Sequence, residues 1–212
     1  MSPFFRLKSV AAACFLAGLV SALSGCVNLE KKFPDIRTYS LDLSSQAHLA
    51  YEGKPASIRL NPFSIVPAFA DRYLTYRTGE TAYEQDFYNQ WMTSPARLTE
   101  DQVFSWMESS PLVSFVLPRE SQEKADYIID GKLTDLSGDY RRVEEPKGVL
   151  KIQFTVSRHS QVLFQKVYPA EVPMERPSPK SLTEALNSGL GQVSAAFEKD
   201  FKSLLTEKGL SL

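Results

Sequence analysis

Leu150-Lys151-Ile152-Gln153-Phe154-Thr155-Val156 alternates apolar and polar residues without a break. A β-strand sends successive side chains to opposite faces, so Leu150, Ile152, Phe154 and Val156 share one buried face and Lys151, Gln153 and Thr155 the other. Upstream, Tyr127, Ile129 and Leu133 keep the same spacing. Downstream, past a turn at Arg158–Gln161, so do Val162, Phe164 and Tyr168. Short turns between such runs predict antiparallel neighbours in a sheet with one face against a core.

What covers that face is written at the C-terminus. From about Pro179 to Lys208, Leu182, Leu186, Leu190, Val193, Phe197, Phe201 and Leu204 recur every three or four residues and form one helical stripe. Ser181 and Glu184 have capping-box spacing, and Gly209 suits a C-terminal stop. A second helix is predicted from Ser94-Pro95, an N-cap with Pro at the first helical position, to about Ser109, with Leu98, Val103, Phe104 and Met107 on its apolar side. Further strands are expected with Tyr39, Leu41 and Leu43 on one face, over Ile58–Val66 broken by Pro62, and at Val113–Leu117. Tyr73–Arg77 and Ala82–Glu84 flank a turn at Thr78–Thr81 and read as a hairpin; residues 44–55 read as loop. The expected fold is a single α+β domain, a mostly antiparallel sheet packed by two helices.

The first 26 residues, MSPFFRLKSVAAACFLAGLVSALSGC, differ from all this. Arg6 and Lys8 precede an uncharged run of 14 residues from Val10 to Leu23. That is shorter than the ~20 residues needed to span a bilayer, and the pattern is that of a secretory signal peptide. Leu23-Ser24-Gly25-Cys26 has the form of a lipoprotein lipobox: small residues let a peptidase reach the bond before Cys26, whose thiol can take a diacylglyceryl group and whose freed amine can be acylated with a palmitate-type chain. The plainer alternative is an ordinary leader cut elsewhere, with an incidental cysteine. Two or three acyl chains exceed the single-chain threshold for stable anchoring. The expected organisation is a signal peptide over 1–25, a lipidated tether over 26–35, and a domain over 36–208. Val27 and Asn28, in place of Asp after the cysteine, favour the outer membrane by a habit of Gram-negative lipoproteins, with the domain facing the periplasm.

Composition narrows the chemistry. The chain has 24 Lys and Arg against 25 Asp and Glu; loss of residues 1–25 leaves 22 against 25, a net charge of −3 over 187 residues. No basic excess points to nucleic acid. Cys14 leaves with the leader and Cys26 carries lipid, which excludes a disulfide framework and a thiol enzyme. His48 and His159 lack a metal-ligand partner at three or four residues and read as solvated loop histidines. Asp126, Asp130, Asp135 and Asp139 read as a solvated strand face, and Gly189-Leu190-Gly191 as helix packing or chance. No cofactor, metal or catalytic motif is predicted. In residues 72–91, Tyr73, Tyr76, Tyr83, Phe87, Tyr88 and Trp91 lie among Arg72, Arg77, Glu84 and Asp86. This segment, with Tyr73, Tyr76, Arg77, Tyr83, Tyr88 and Trp91 as its candidate contact residues, is the candidate partner surface, since aromatic and Arg enrichment marks interface cores; half-buried strand aromatics are the competing explanation.

From Arg37 to Phe201 the chain resembles the ABC-type transport auxiliary lipoprotein family, the PqiC-like lipoproteins. The resemblance rests on ordered features behind the lipobox: Tyr39-Ser40-Leu41; Ile58-Arg59-Leu60; Val66-Pro67-Ala68-Phe69; Tyr73-Leu74-Thr75-Tyr76-Arg77; the Tyr83 strand; Trp91 followed by Pro95; Ala125-Asp126-Tyr127-Ile128-Ile129-Asp130-Gly131; and the C-terminal helix. Asp86-Phe87-Tyr88 fits a subgroup of the family. The resemblance implies a fold similar to the N-terminal domain of TolB and a non-enzymatic outer-membrane lipoprotein of an intermembrane lipid transport system. The partners it implies are the membrane itself, an Mce-domain periplasmic protein and an ABC permease and ATPase, with a homo-oligomer as a further option. Only Cys26, with Leu23, Ser24 and Gly25, carries over as a site. A structural or pilot lipoprotein in envelope assembly is the alternative from another class, and a periplasmic hydrolase, which would need a converging polar cluster, the third.

Overall fold

A computed structural model describes residues 35–117 and 121–209, with side chains to Glu207. The signal peptide, the lipobox with Cys26 and the tether to Pro34 lie outside the described residues. The strands are β1 (Arg37–Tyr39), β2 (Ala56–Leu60), β3 (Ser64–Ile65), β4 (Tyr73–Arg77), β5 (Tyr83–Trp91), β6 (Val113–Leu117), β7 (Tyr127–Asp139), β8 (Lys147–Arg158) and β9 (Gln161–Pro173); the helices are α1 (Pro95–Glu108) and α2 (Pro179–Gly209).

β7 organises the sheet. One of its edges pairs antiparallel with β8 along almost its whole length, and β8 pairs antiparallel with β9. The other edge is shared in sequence by β2, β3 and β4, all parallel to β7. β6 extends the sheet beyond β2, and β5 then β1 extend it beyond β4. The three antiparallel ladders carry most of the pairing, as the short turns predict; the short parallel ladders join segments far apart in sequence, which local periodicity does not register. The β8–β9 turn holds His159 and Ser160 at φ 49° and 63°, as the tight hairpin turns that match strand twist demand.

The predicted stripe meets the predicted face. Phe197 packs 4.3 Å from Phe154 and 6.0 Å from both Tyr168 and Phe201, and Phe201 meets Tyr127 edge-on at 5.6 Å. Leu150, Ile152, Phe154 and Val156 are all buried beneath α2. Two glycines permit close approach: a Cβ on Gly131 would sit 2.5 Å from the Phe63 ring, and one on Gly148 2.8 Å from Ala185 Cβ. At the helix end Leu205 is buried, at 7% exposure, and Leu204 only partly so.

Three local expectations are corrected. α2 is capped by Ser178, whose Oγ accepts from the Ser181 amide at 3.2 Å; the helix begins before the Ser181–Glu184 pair, which therefore cannot be its capping box. Ser94 stands at the N-cap of α1 but makes no side-chain cap hydrogen bond. The strand at the start of the domain ends at Tyr39. Leu41 and Leu43 are buried all the same, because residues 40–55 run as an extended strap against the two helices.

Candidate contact surface and a buried histidine network

Of the six residues of the candidate surface, the structure keeps some outside and turns others in. Trp91, at 2% exposure, belongs to the core; β5 ends there, with its register partner Tyr39 on one side and the Arg72 Nε–H donating to its carbonyl. Tyr76 is half-buried. Its ring stacks on Tyr140 at 4.9 Å and its hydroxyl donates to Asp86 Oδ2 at 2.9 Å, so burial and that carboxylate push the phenol well above its ordinary pKa. Burial likewise pushes Tyr140 up to about 12. Both tyrosines are therefore structural and neutral. Tyr73 is half-buried against Phe87, edge-on at 4.9 Å. Arg77 lies over the Tyr83 ring at 5.8 Å, and Tyr83 and Tyr88 are exposed.

The spacing of β5 explains why its aromatics point outward. Tyr73 registers with Gln90 but Leu74 with Asp86, which leaves Phe87, Tyr88 and Asn89 outside the β4 ladder. Asp86 holds this bulge. Its Oδ1 accepts from the amides of Tyr88 (3.0 Å) and Asn89 (3.1 Å), and its Oδ2 from the Asn89 side chain (2.9 Å). A bulge re-aims side chains that a regular strand would alternate. Phe87, at 61% exposure, and Met92 join Tyr83 and Tyr88 on the surface; Phe87 lies within the candidate segment 72–91, and Met92 just beyond it. The sequence signal was present in Asp86-Phe87-Tyr88, an Asx-type turn residue before two aromatics.

His48 is a second departure. It is no solvated loop histidine: its ring stacks on Trp106 at 4.8 Å, Nδ1 lies 2.8 Å from Glu198 Oε1, and Nε2 lies 2.9 Å from Ser109 Oγ. Glu198, 1% exposed, also accepts from the Ser110 hydroxyl at 2.8 Å and the Leu49 amide at 2.9 Å. A carboxylate only accepts, so Nδ1 carries the proton; the Ser109 hydroxyl, 2.9 Å from Nε2, also donates to the Trp106 carbonyl at 2.9 Å, so its one proton is already engaged in the last turn of α1. The order Ser109, His48, Glu198 has the layout of a nucleophile, base and orienting acid. Its chemistry stops there. The Ser109 and Ser110 amides donate back into the last turn of α1, to the Trp106 and Met107 carbonyls, so the amides flanking the hydroxyl are not offered to an oxyanion.

The network instead belongs to the strap. Along α2, Asn187 accepts from the Asp42 amide (2.7 Å), Gly191 makes room for Gln46, Glu198 takes His48 and Leu49, and Lys202 donates to the Ala50 carbonyl (2.6 Å). Along α1, Gln102 accepts from the Leu43 amide, Trp106 donates to the Gln46 carbonyl and Ser109 meets His48. Both sets follow helical spacing, so each helix gives one stripe to the core and another to the strap. Glu198 on the flank of an apolar stripe was the readable sign, because a buried carboxylate requires partners.

The strand aspartates do not converge. Asp126 brackets Ser57, Asp130 accepts from Asn61, Asp135 meets Ser137 and Lys151, and Asp139 pairs with Arg141 at 2.7 Å. They are structural pairings, more than the solvated face expected of them. Burial raises the Asp126 carboxyl, but hydrogen bonds from the Ser57 hydroxyl and amide, with Arg158 and Lys54, hold it below the usual range overall; Arg141 does the same for Asp139. Among the described residues no group of three His, Cys, Asp or Glu side chains could hold a metal ion, and no helix is long and apolar enough to cross a membrane.

The architecture has solved counterparts. A Xanthomonas campestris protein of the DUF330 family superposes with a TM-score of 0.63 at 13% identity, over 84% of this chain and 98% of that one. A second crystal structure, of an uncharacterized protein, gives 0.64 at 14% identity over 78% and 98%. At such identities the likeness shows the fold. No curated protein matches the sequence. The family model described as the ABC-type transport auxiliary lipoprotein component matches residues 39–197, from the end of β1 to the Phe197 contact that locks α2 onto β8. With three quarters of its length matched and the sheet-and-two-helix fold in place, the chain belongs to the ABC-type transport auxiliary lipoprotein component family.

Proposed function

We propose that this protein is a non-enzymatic, lipid-anchored component of an ABC and Mce-type intermembrane lipid transport system, held in the outer membrane and facing the periplasm. The observation that carries the reading is the placement of the family match, residues 39–197, directly behind Leu23-Ser24-Gly25-Cys26. Acyl chains on Cys26 fix one end of the chain. The domain docks the transporter's Mce-domain conduit and, through it, the ABC permease and ATPase. Of residues 72–91, the candidate contact segment, Tyr76 and Trp91 are accounted for inside the domain, and Tyr83, Tyr88 and their neighbours are left exposed.

Cys26→Ser tests the anchor. The wild type should incorporate labelled palmitate and sediment with outer membranes, and the variant should do neither. A variant that still partitions into the outer membrane and resists release would end the anchoring reading.

A further inference from the structure

Ten large hydrophobic side chains stand exposed among the described residues, and five of them, Ile36, Tyr83, Phe87, Tyr88 and Met92, fall on the β1–β5 edge; of the others, two lie on β9 and one each on the strap, β6 and the turn after β7. Clustered exposure of this kind marks a contact. β1 pairs with β5 in parallel, Arg37 with Asn89 and Tyr39 with Trp91, so Ile36 comes level with Tyr88. The stretch Phe87-Tyr88-Asn89-Gln90-Trp91-Met92 carries no charge. Asp86 fixes the bulge from within, so the two aromatics are presented without being ordered by whatever they meet.

We propose that this edge rests in the headgroup region of the bilayer that anchors the chain. The inference deepens the anchoring reading and rests on it. The chain enters the domain at this edge, and only residues 27–35 separate Ile36 from Cys26. Nine residues reach about 30 Å fully extended and about 15–20 Å as a flexible coil. β1 and its ladder partner β5 are thus the strands held nearest to the lipid, at an effective concentration that makes weak insertion sufficient. Tyrosine and phenylalanine with flanking basic groups suit the water–lipid boundary. Arg37 and Arg72 are exposed beside the edge; in the tether Lys31 and Lys32 are balanced by Glu30 and Asp35. A protein partner gains nothing from the tether's entry point; a membrane surface does.

The test uses the full lipidated protein in phosphatidylethanolamine–phosphatidylglycerol vesicles, with and without brominated lipid. Phe87→Trp places a fluorophore on the bulge. Val162→Trp places one on an exposed position of β9, which lies beyond β8 on the far side of β7 from β4 and β5. Trp91 and Trp106 are buried and supply a constant background. The Phe87→Trp emission should fall in brominated vesicles, as for a side chain at the boundary, with Val162→Trp unchanged. Equal quenching at both positions, or none at Phe87→Trp while the protein floats with the vesicles, overturns the inference and leaves the anchor standing. A blue-shifted but unquenched Phe87→Trp means that protein covers the edge, which also overturns it. If the wild type fails to float at all, the anchoring reading itself is lost.

Discussion

Phe197 and Phe87 are the same residue in opposite circumstances. Phe197 lies where α2 crosses β8, fully buried and ringed by Phe154, Tyr168 and Phe201. Phe87 stands on the β5 bulge with Tyr73 as its ring partner and most of its surface free. On the α2–β8–β9 side, helix and strand periods agree and the area removed from water stabilises the fold; the exception is Val162, expected on the buried face but 58% exposed, where the register of β8 and β9 shifts beside their turn. On the β1–β5 side, three residues without a register partner in β4 break the strand period, and apolar groups are left over. A region that obeys its period is a core; a region that breaks it while staying apolar and well held is a surface prepared for something else.

The largest effect should separate these two phenylalanines. Phe197→Ala is expected to cost about 3–5 kcal/mol, the range for removing a buried aromatic, whereas Phe87→Ala should stay within about 0.5 kcal/mol, as surface changes do. Urea unfolding followed by tryptophan fluorescence reads both, and similar costs would erase the distinction. A middle-sized effect lies between core and surface, at the strap. His48→Ala removes a donor from Glu198, which is 1% exposed, and should cost about 1–3 kcal/mol, the penalty for an acceptor left short of a partner. Limited proteolysis should then cut more readily within residues 44–55. An unchanged cleavage pattern would show that the backbone bonds to Asn187, Gln102 and Lys202 hold the strap without it.

The smallest effect sharpens the comparison from the sheet's polar side. The Asp126 carboxyl is held below its ordinary value by Ser57. A depressed carboxylate lends stability that is present above the unfolded value, about 4, and is lost as pH falls through the lowered one. Ser57→Ala lifts Asp126 back toward the ordinary range, so acid unfolding at fixed urea should set in at a slightly higher pH, with little change near neutrality in its shape. A midpoint that moves to lower pH would contradict the assignment.

The parts of this architecture that could be read in advance are those with local causes. Alternation over 150–156 and the three-to-four spacing from Leu182 to Phe201 each report a face, because strand and helix geometry repeat within a few residues. The β4–β5 hairpin and the β8–β9 turn follow from short loops. The candidate surface was legible as a segment but not residue by residue. Tyr76, Tyr88 and Trp91 look alike in sequence, and only the bulge after Asp86 decides which of them turns inward.

The sequence by itself determined the family, two helices on a sheet, the core stripe and the lipobox pattern at Cys26, since each is set by residue type and near spacing. The tertiary structure alone decided that β7 gathers β2, β3 and β4 along one edge, that His48 finds Glu198 150 positions away, and that Phe87 faces outward while Trp91 is buried. Those outcomes depend on contacts whose partners are far apart in the chain, and no local period carries them.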